Sequence, residues 1–313
     1  MSAIKRTSTR DLTVLKMFLM KWTSIFLKIK NGCPISSVAV ETTQHCNRRC
    51  TYCPVSIDPK PRKAMKFEIF QEIIDQLALI GFRGYLTYHF FNEPLLNRDL
   101  EKLVNYASHH LPKARHVIFT NGDLLTSERA SSLLASGVTL FIVTNHGGRQ
   151  LTEFVERVER AWWIFHPRIW FRRLTNESSL FNRGGLVEVV LQRRFSYCSY
   201  LAYEMVIDVD GNVVLCCNDY YGSTQFGNVM RTPILNIWHS ASMSNLRNRL
   251  LKGEFDLPIC RRCSGVTETV DLVTLTRKPS VLERANVPGG GLRNEDDRRP
   301  RELVAAWKRG AEN

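Results

Sequence analysis

Cys46, Cys50 and Cys53 fall within eight residues, spaced C-x3-C-x2-C, directly behind an extended run from Ser36 to Thr43. Three thiolates delivered to the end of one strand point to a metal centre, with a chance cluster the plainer reading. Tetrahedral zinc wants four ligands, so three thiolates this close suit an iron–sulfur cube with one iron left open. An open iron can bind a small molecule and pass it an electron. Half of a zinc site is the competing reading at this point.

The nine cysteines divide unevenly: the three above, the isolated Cys33, and a late set of Cys198, Cys216, Cys217, Cys260 and Cys263. The late set ends in a C-x2-C pair, and four cysteines would close either a zinc site or a second iron–sulfur cluster. A disulfide scaffold is not expected in a chain of 313 residues whose start shows no secretory leader. Thiolates and iron together point to a reducing, cytoplasmic setting. Between Cys198 and Cys216 the run from Met205 reads as a hairpin turning at Asp210-Gly211.

Between the two cysteine groups, extended and helical patterns alternate. Strands are expected at 84–91, 115–119, 138–143, 169–174 and 186–191, and helices at 67–80, 99–109, 127–135 and 151–165. Such alternation builds parallel βα units, whose ligands collect at the carboxyl ends of the strands. Polar tips stand at those ends: Asn92-Glu93-Pro94, Thr120-Asn121-Gly122 and Thr144-Asn145-His146-Gly147.

The net charge of +13 is placed mainly outside this region: residues 1–35 carry +6 and residues 271–313 carry +2, leaving +5 between them. A nucleic-acid partner is therefore not expected. No run of ~18 uncharged apolar residues marks a membrane span. Residues 1–35 read as an amphipathic helix, with Leu15, Phe18, Leu19, Trp22, Phe26 and Ile29 on one stripe. The charge-dense 271–313 reads as a flexible tail. The expected domains are thus 1–35, a barrel over 36–195, a cluster-binding module over 196–270, and the tail.

The early cysteine run, with Tyr52 before its third cysteine, resembles the signature of the radical S-adenosylmethionine (radical SAM) superfamily. The later order of Cys198, hairpin, Cys216, Gly227-Asn228, Ile237-Trp238, Arg247 and Cys260-x2-Cys263 resembles the SPASM domain or its shortened twitch form. The resemblance implies an α/β fold, a partial (β/α)6 barrel followed by a small hairpin-plus-helix module. It also implies a SAM-binding 4Fe–4S cluster on Cys46, Cys50 and Cys53, and an auxiliary 4Fe–4S cluster on Cys198, Cys216, Cys260 and Cys263. Cys216 is preferred over Cys217 because its spacing to Gly227 matches the family, and neighbouring strand residues face opposite ways. Cys217 is then a buried small side chain or a hydrogen donor to substrate.

By the same resemblance, Asn92-Glu93-Pro94 stands where the family has GGEP, with Glu93 taking the SAM amino group; Phe91-Asn92 replaces two glycines. Thr144 and Arg172 stand where the SAM carboxylate is held, with Arg173 the alternative to Arg172. Thr120 and Asn121 are candidates for the methionine or ribose, or for plain turn chemistry. His146 is the candidate base, since oxidising a substrate radical releases a proton. Asn182-Arg183-Gly184-Gly185 either lines the pocket or makes a turn. The expected function is hydrogen abstraction from a small molecule (a sugar, aminocyclitol or nucleoside), giving dehydrogenation or epimerisation in natural-product biosynthesis. A flavodoxin- or ferredoxin-type protein would donate the electron. The alternatives are a radical SAM peptide maturase and a zinc-stabilised binding module without catalysis.

Overall fold

A computed structural model of the chain describes residues 33–146, 152–160, 168–173, 180–188 and 195–265. Residues 1–32 of the N-terminal helix expected over 1–35, and the tail, lie outside them; residues 33–35 are not helical.

Five strands form in sequence order: β1 (Ser37–Val40), β2 (Tyr85–Thr87), β3 (Arg115–Thr120), β4 (Leu140–Asn145) and β5 (Ile169–Arg173). Each pairs in parallel with the next. Their helices are α1 (Phe67–Leu79), α2 (Leu100–His110), α3 (Ser127–Ala135) and α4 (Glu153–Arg160). Each has an apolar stripe at helical spacing. In α1, Phe70, Ile73, Ile74 and Leu77 are buried, and in α2 Leu100, Leu103, Val104 and Ala107. Thr126 caps α3 by accepting the Arg129 N–H. Between β1 and β2 the fit is tight: a Cβ on Gly84 would stand 2.1 Å from the Ser36 carbonyl oxygen, so this position takes glycine.

The sixth parallel strand differs from expectation. Residues 186–188 form no strand: Arg183, Gly184 and Gly185 before them make a left-handed turn with φ of 51°, 68° and 86°, and Leu186 follows in helical backbone. The rest of the expected 186–191 strand lies outside the described residues. On the other side of β1 lies β6 (Glu204–Ile207), entered from the short helix α5 (Tyr200–Tyr203) and paired in parallel from Ser37↔Glu204 to Val40↔Ile207. From β6 the chain turns at Asp210-Gly211 into β7 (Asn212–Val214), then β8 (Gln225–Asn228), both antiparallel. One eight-stranded sheet results, in the order β5-β4-β3-β2-β1-β6-β7-β8. Helices α6 (Ile234–Trp238), α7 (Ala241–Leu251) and α8 (Pro258–Ser264) complete the described part.

Side-chain alternation gives the sheet two faces. Val38, Val40, Leu86, Tyr88, Ile118, Phe141, Val143, Met205 and Ile207 belong to the main core shared with the helices. Ala39, Val206 and Val214 pack together on the other face with Phe90. By the same parity Thr87, His89, Phe119, Ile142, Thr144, Arg172 and Glu204 face this second, inner side.

Candidate active site between two cysteine groups

The three early cysteines sit in the loop after β1, where the Cys53 N–H donates to the Cys50 carbonyl at 2.9 Å. A polar scaffold holds this loop against the tip of β3. Arg48 and Asp123 form a two-pronged ion pair, with Nε–Oδ2 at 2.8 Å and both side chains buried. Asn47 donates to Asp123 at 2.9 Å, and Asn121 donates to Asn47 at 2.8 Å. Removing one partner of a buried pair strands the other charge. Asp123→Ala is therefore expected to cost about 3 kcal/mol, read as a fall of roughly 5 to 10 °C in the anaerobic unfolding midpoint.

Glu93, at the tip after β2, is buried and takes three hydrogen bonds. Oε1 accepts from Leu95 N (3.1 Å) and Thr120 Oγ1 (2.7 Å), and Oε2 accepts from Asn121 N (2.8 Å). Burial still pushes its carboxyl up to about 7 despite these bonds. Thr120 Oγ1 also accepts from Gly122 N, so the polar atoms of Thr120 and Asn121 go to Glu93, the turn and Asn47. Asn92 accepts from Phe90 N through Oδ1, and its buried Nδ2 has no partner among the described residues. Phe91, in the place of a glycine, packs edge-on against Tyr220 at 4.9 Å.

Thr144 and Arg172 lie directly opposite each other across β4 and β5. His146 is stacked with Tyr52 and bonded through Nδ1 to its hydroxyl at 2.6 Å. Burial, then the charges of Arg48, Arg172 and Arg183, push its imidazole down to about 4, so it is neutral near pH 7.

The late cysteines meet at the amino end of β6. Cys260 and Cys263 are one turn apart on α8, which starts on Pro258 and stops at the left-handed Gly265. Cys198 is tied to α7 through its N–H on the Leu250 carbonyl (2.9 Å). Cys263 lies within electrostatic reach of Cys198, and Cys216 within reach of Cys260 and Cys263. The thiol of Cys217 feels Glu204, Arg183, Cys263 and Cys198. All nine cysteines are free thiols.

These residues fit iron–sulfur clusters. N–H groups reach the sulfurs, from Arg48 N to Cys46 (3.4 Å), Asn218 N to Cys216 (3.5 Å) and Asn218 Nδ2 to Cys263 (3.3 Å). Burial first, then the neighbouring thiols and carboxylates, push Cys46 up to about 11 and Cys260 up to about 12, so a bound cation would be what makes thiolates of them. A cube spreads its cysteines over separate irons.

Arg183 joins the two groups. Its turn presses on α8 so closely that a Cβ on Gly184 would stand 2.4 Å from Ile259 Cγ1. The glycines are there for close approach as well as for the turn. The guanidinium lies over Phe91 at 5.6 Å and bonds to Asn218 Oδ1 at 3.1 Å. Its charge is felt by Cys53 on one side and by Cys217 and Cys263 on the other. The sequence offered Arg183 as a pocket residue, as part of a turn or as a holder of an anionic substrate, and gave no sign that its charge reaches both cysteine groups. His89 and Glu204 it did not flag at all, although their inward parity is legible once the strands are placed.

A parallel sheet carrying a three-cysteine loop at the end of its first strand, with a four-cysteine module beside it, defines an iron–sulfur enzyme that acts on SAM. Comparison with known proteins agrees. The radical SAM superfamily model matches residues 40–162, and the iron–sulfur cluster-binding SPASM domain matches residues 198–264. The chain is 30% identical over 243 residues to the S-adenosyl-L-methionine-dependent 2-deoxy-scyllo-inosamine dehydrogenase of Niallia circulans, covering 74% of this chain and 94% of that protein. The crystal structure of BtrN in complex with AdoMet and 2-DOIA superposes with a TM-score of 0.67 at 28% identity, covering 74% of this chain and 94% of that one. A probable GTP 3′,8-cyclase of Methanocella arvoryzae is 33% identical over 109 residues, 34% of this chain and 33% of that protein. The chain belongs to the radical SAM superfamily and carries a SPASM-type auxiliary module. It is an oxidoreductase using SAM and two 4Fe–4S clusters, and the zinc-bound alternative falls away. No helix among the described residues is long and apolar enough to cross a membrane.

Proposed function

We propose that the protein oxidises a secondary alcohol on an aminocyclitol or closely related polyhydroxylated ring. Bound SAM and the two clusters supply a hydrogen-abstracting 5′-deoxyadenosyl radical and a sink for one electron. The balance is then complete: the carbinol C–H hydrogen goes to 5′-deoxyadenosine, one electron to the auxiliary centre, and the hydroxyl proton to a base, leaving a ketone. The observation that carries this reading is the position of Arg183, whose charge reaches both cysteine groups. A small ring held beside it lies between the radical source and the electron sink. The name of the Niallia circulans relative supports the ring chemistry.

In this reading Cys46, Cys50 and Cys53 hold one cluster, and Cys198, Cys216, Cys260 and Cys263 the other. Thr144 and Arg172 receive the SAM carboxylate. His146, neutral and fixed by Tyr52, takes the hydroxyl proton; an oxidised ketyl is so acidic that a weak base suffices. A low-potential flavodoxin or ferredoxin and a reducing cytoplasm complete the setting. Anaerobic reaction of 2-deoxy-scyllo-inosamine deuterated on its carbinol carbons should carry deuterium into 5′-deoxyadenosine, with one ketone formed per SAM consumed. Absence of that transfer overturns the substrate assignment.

Glu93 accepts the SAM ammonium on the free lone pair of Oε2. With its carboxyl near 7 in the ligand-free protein, protonation competes with SAM. The group is ionised above that value and neutral below it, so affinity rises with pH. Equilibrium dialysis of unreduced holoenzyme should show SAM binding about tenfold tighter at pH 8 than at pH 6, and Glu93→Gln should flatten that profile.

A further inference from the structure

Among the described residues, seven buried polar side-chain atoms lack a hydrogen-bond partner, and five of them belong to Thr87, His89, Asn92, Asn182 and Arg183. Buried polar atoms are almost always paired, so such a concentration marks where a polar ligand sits. His89 is the most constrained of the five. Leu86 and Tyr88 point into the helix-side core, which turns Thr87 and His89 to the inner face. The imidazole lies stacked on Phe119, with centroids 4.3 Å apart and planes 30° from parallel. Nδ1 is buried without a partner, in a residue that is half-buried as a whole. The nearby charge is Arg183, and burial and that charge together keep the imidazole neutral. A neutral imidazole on the inner face, with Arg183 the charge it feels, is suited to hydrogen-bonding an uncharged hydroxyl.

We infer that His89 hydrogen-bonds one ring hydroxyl of the substrate through Nδ1 and thereby selects among polyhydroxylated rings. The inference rests on the ring-alcohol reading above. It makes His89 a contact distinct from His146, which is bound to Tyr52 on the side of the early cysteines. A site built round one substrate hydroxyl rejects an analogue that lacks it, because the site's own polar group is left unpaired.

The test uses SAM-loaded, unreduced holoenzyme and calorimetric binding of 2-deoxy-scyllo-inosamine and its monodeoxy analogues. His89→Phe should bind the probe at least about tenfold more weakly than wild type, with iron content and SAM affinity unchanged. His89→Asn, which returns a polar atom close to the place of Nδ1, should recover most of the loss. One monodeoxy analogue should bind wild type as weakly as the probe binds His89→Phe, and should lose nothing further in the variant; a packing role for His89 would not produce that pairing. Should His89→Phe fail to hold its iron, His89→Leu carries the same comparison with less bulk. Unchanged probe affinity in these variants, or an equal loss for every analogue in wild type and variant, overturns the inference while the ring-alcohol reading stands. Failure of wild type to bind the probe overturns that reading, and this inference with it.

Discussion

Cys50→Ala is expected to abolish reductive SAM cleavage, lowering 5′-deoxyadenosine formation by at least about a thousandfold and iron from about eight to about four per chain. The size of the effect follows from the loop. Cys50 lies between the two other thiols, and its carbonyl accepts the Cys53 N–H that sets the turn. Alanine keeps that backbone bond and deletes only the sulfur. The Arg48–Asp123 pair and the contacts of Asn47 and Asn121 remain to hold the loop. A lost cluster in a folded protein is therefore the outcome sought. Circular dichroism should be that of wild type, and the remaining iron should keep the absorbance of the auxiliary centre. Wild-type 5′-deoxyadenosine yield from this variant would remove the three-cysteine assignment altogether.

Cys263→Ala should separate the two halves of the reaction. This sulfur sits on α8, accepts from Asn218 Nδ2 and lies close to Cys198. Its loss should again leave about four irons, but now those of the SAM-cleaving centre. Deuterium transfer into 5′-deoxyadenosine should persist while ketone yield drops by about a hundredfold or more, since the substrate radical loses its electron acceptor. Ketone formation at the wild-type rate would show that the electron leaves by another route. Cys217→Ser adds a second discriminant. Under the oxidation mechanism it leaves the ketone yield within about threefold, as a buried small side chain should. If it instead stops turnover with all iron retained, Cys217 returns hydrogen to the ring and the reaction is an epimerisation.

Both cysteine groups were legible in the sequence because metal ligands must recur at short, fixed spacings, and so was Glu93, because strand tips can be counted. The helices emerged from their apolar stripes with ends shifted by a residue or two. What stayed hidden depends on contacts distant in the chain. Arg48 and Asp123 are 75 positions apart, and nothing in either neighbourhood announces the other. Residues 186–188 read as the start of a strand, but a left-handed turn over Arg183, Gly184 and Gly185 precedes them and Leu186 stays in helical backbone. His89 reads in the sequence as any histidine within the expected strand 84–91. Only the stacked Phe119 and the unmet Nδ1 set it apart.

The shared sheet has a consequence for anyone recombining such enzymes. Because Glu204–Ile207 zips onto Ser37–Val40 over four registered residue pairs, the region after Cys198 is no exchangeable cassette. A chimera that imports a foreign electron-accepting half must also bring a strand shaped for Ser37, Val38, Ala39 and Val40. Otherwise it leaves an open edge beside the catalytic loop, where the chain would stick to its own copies.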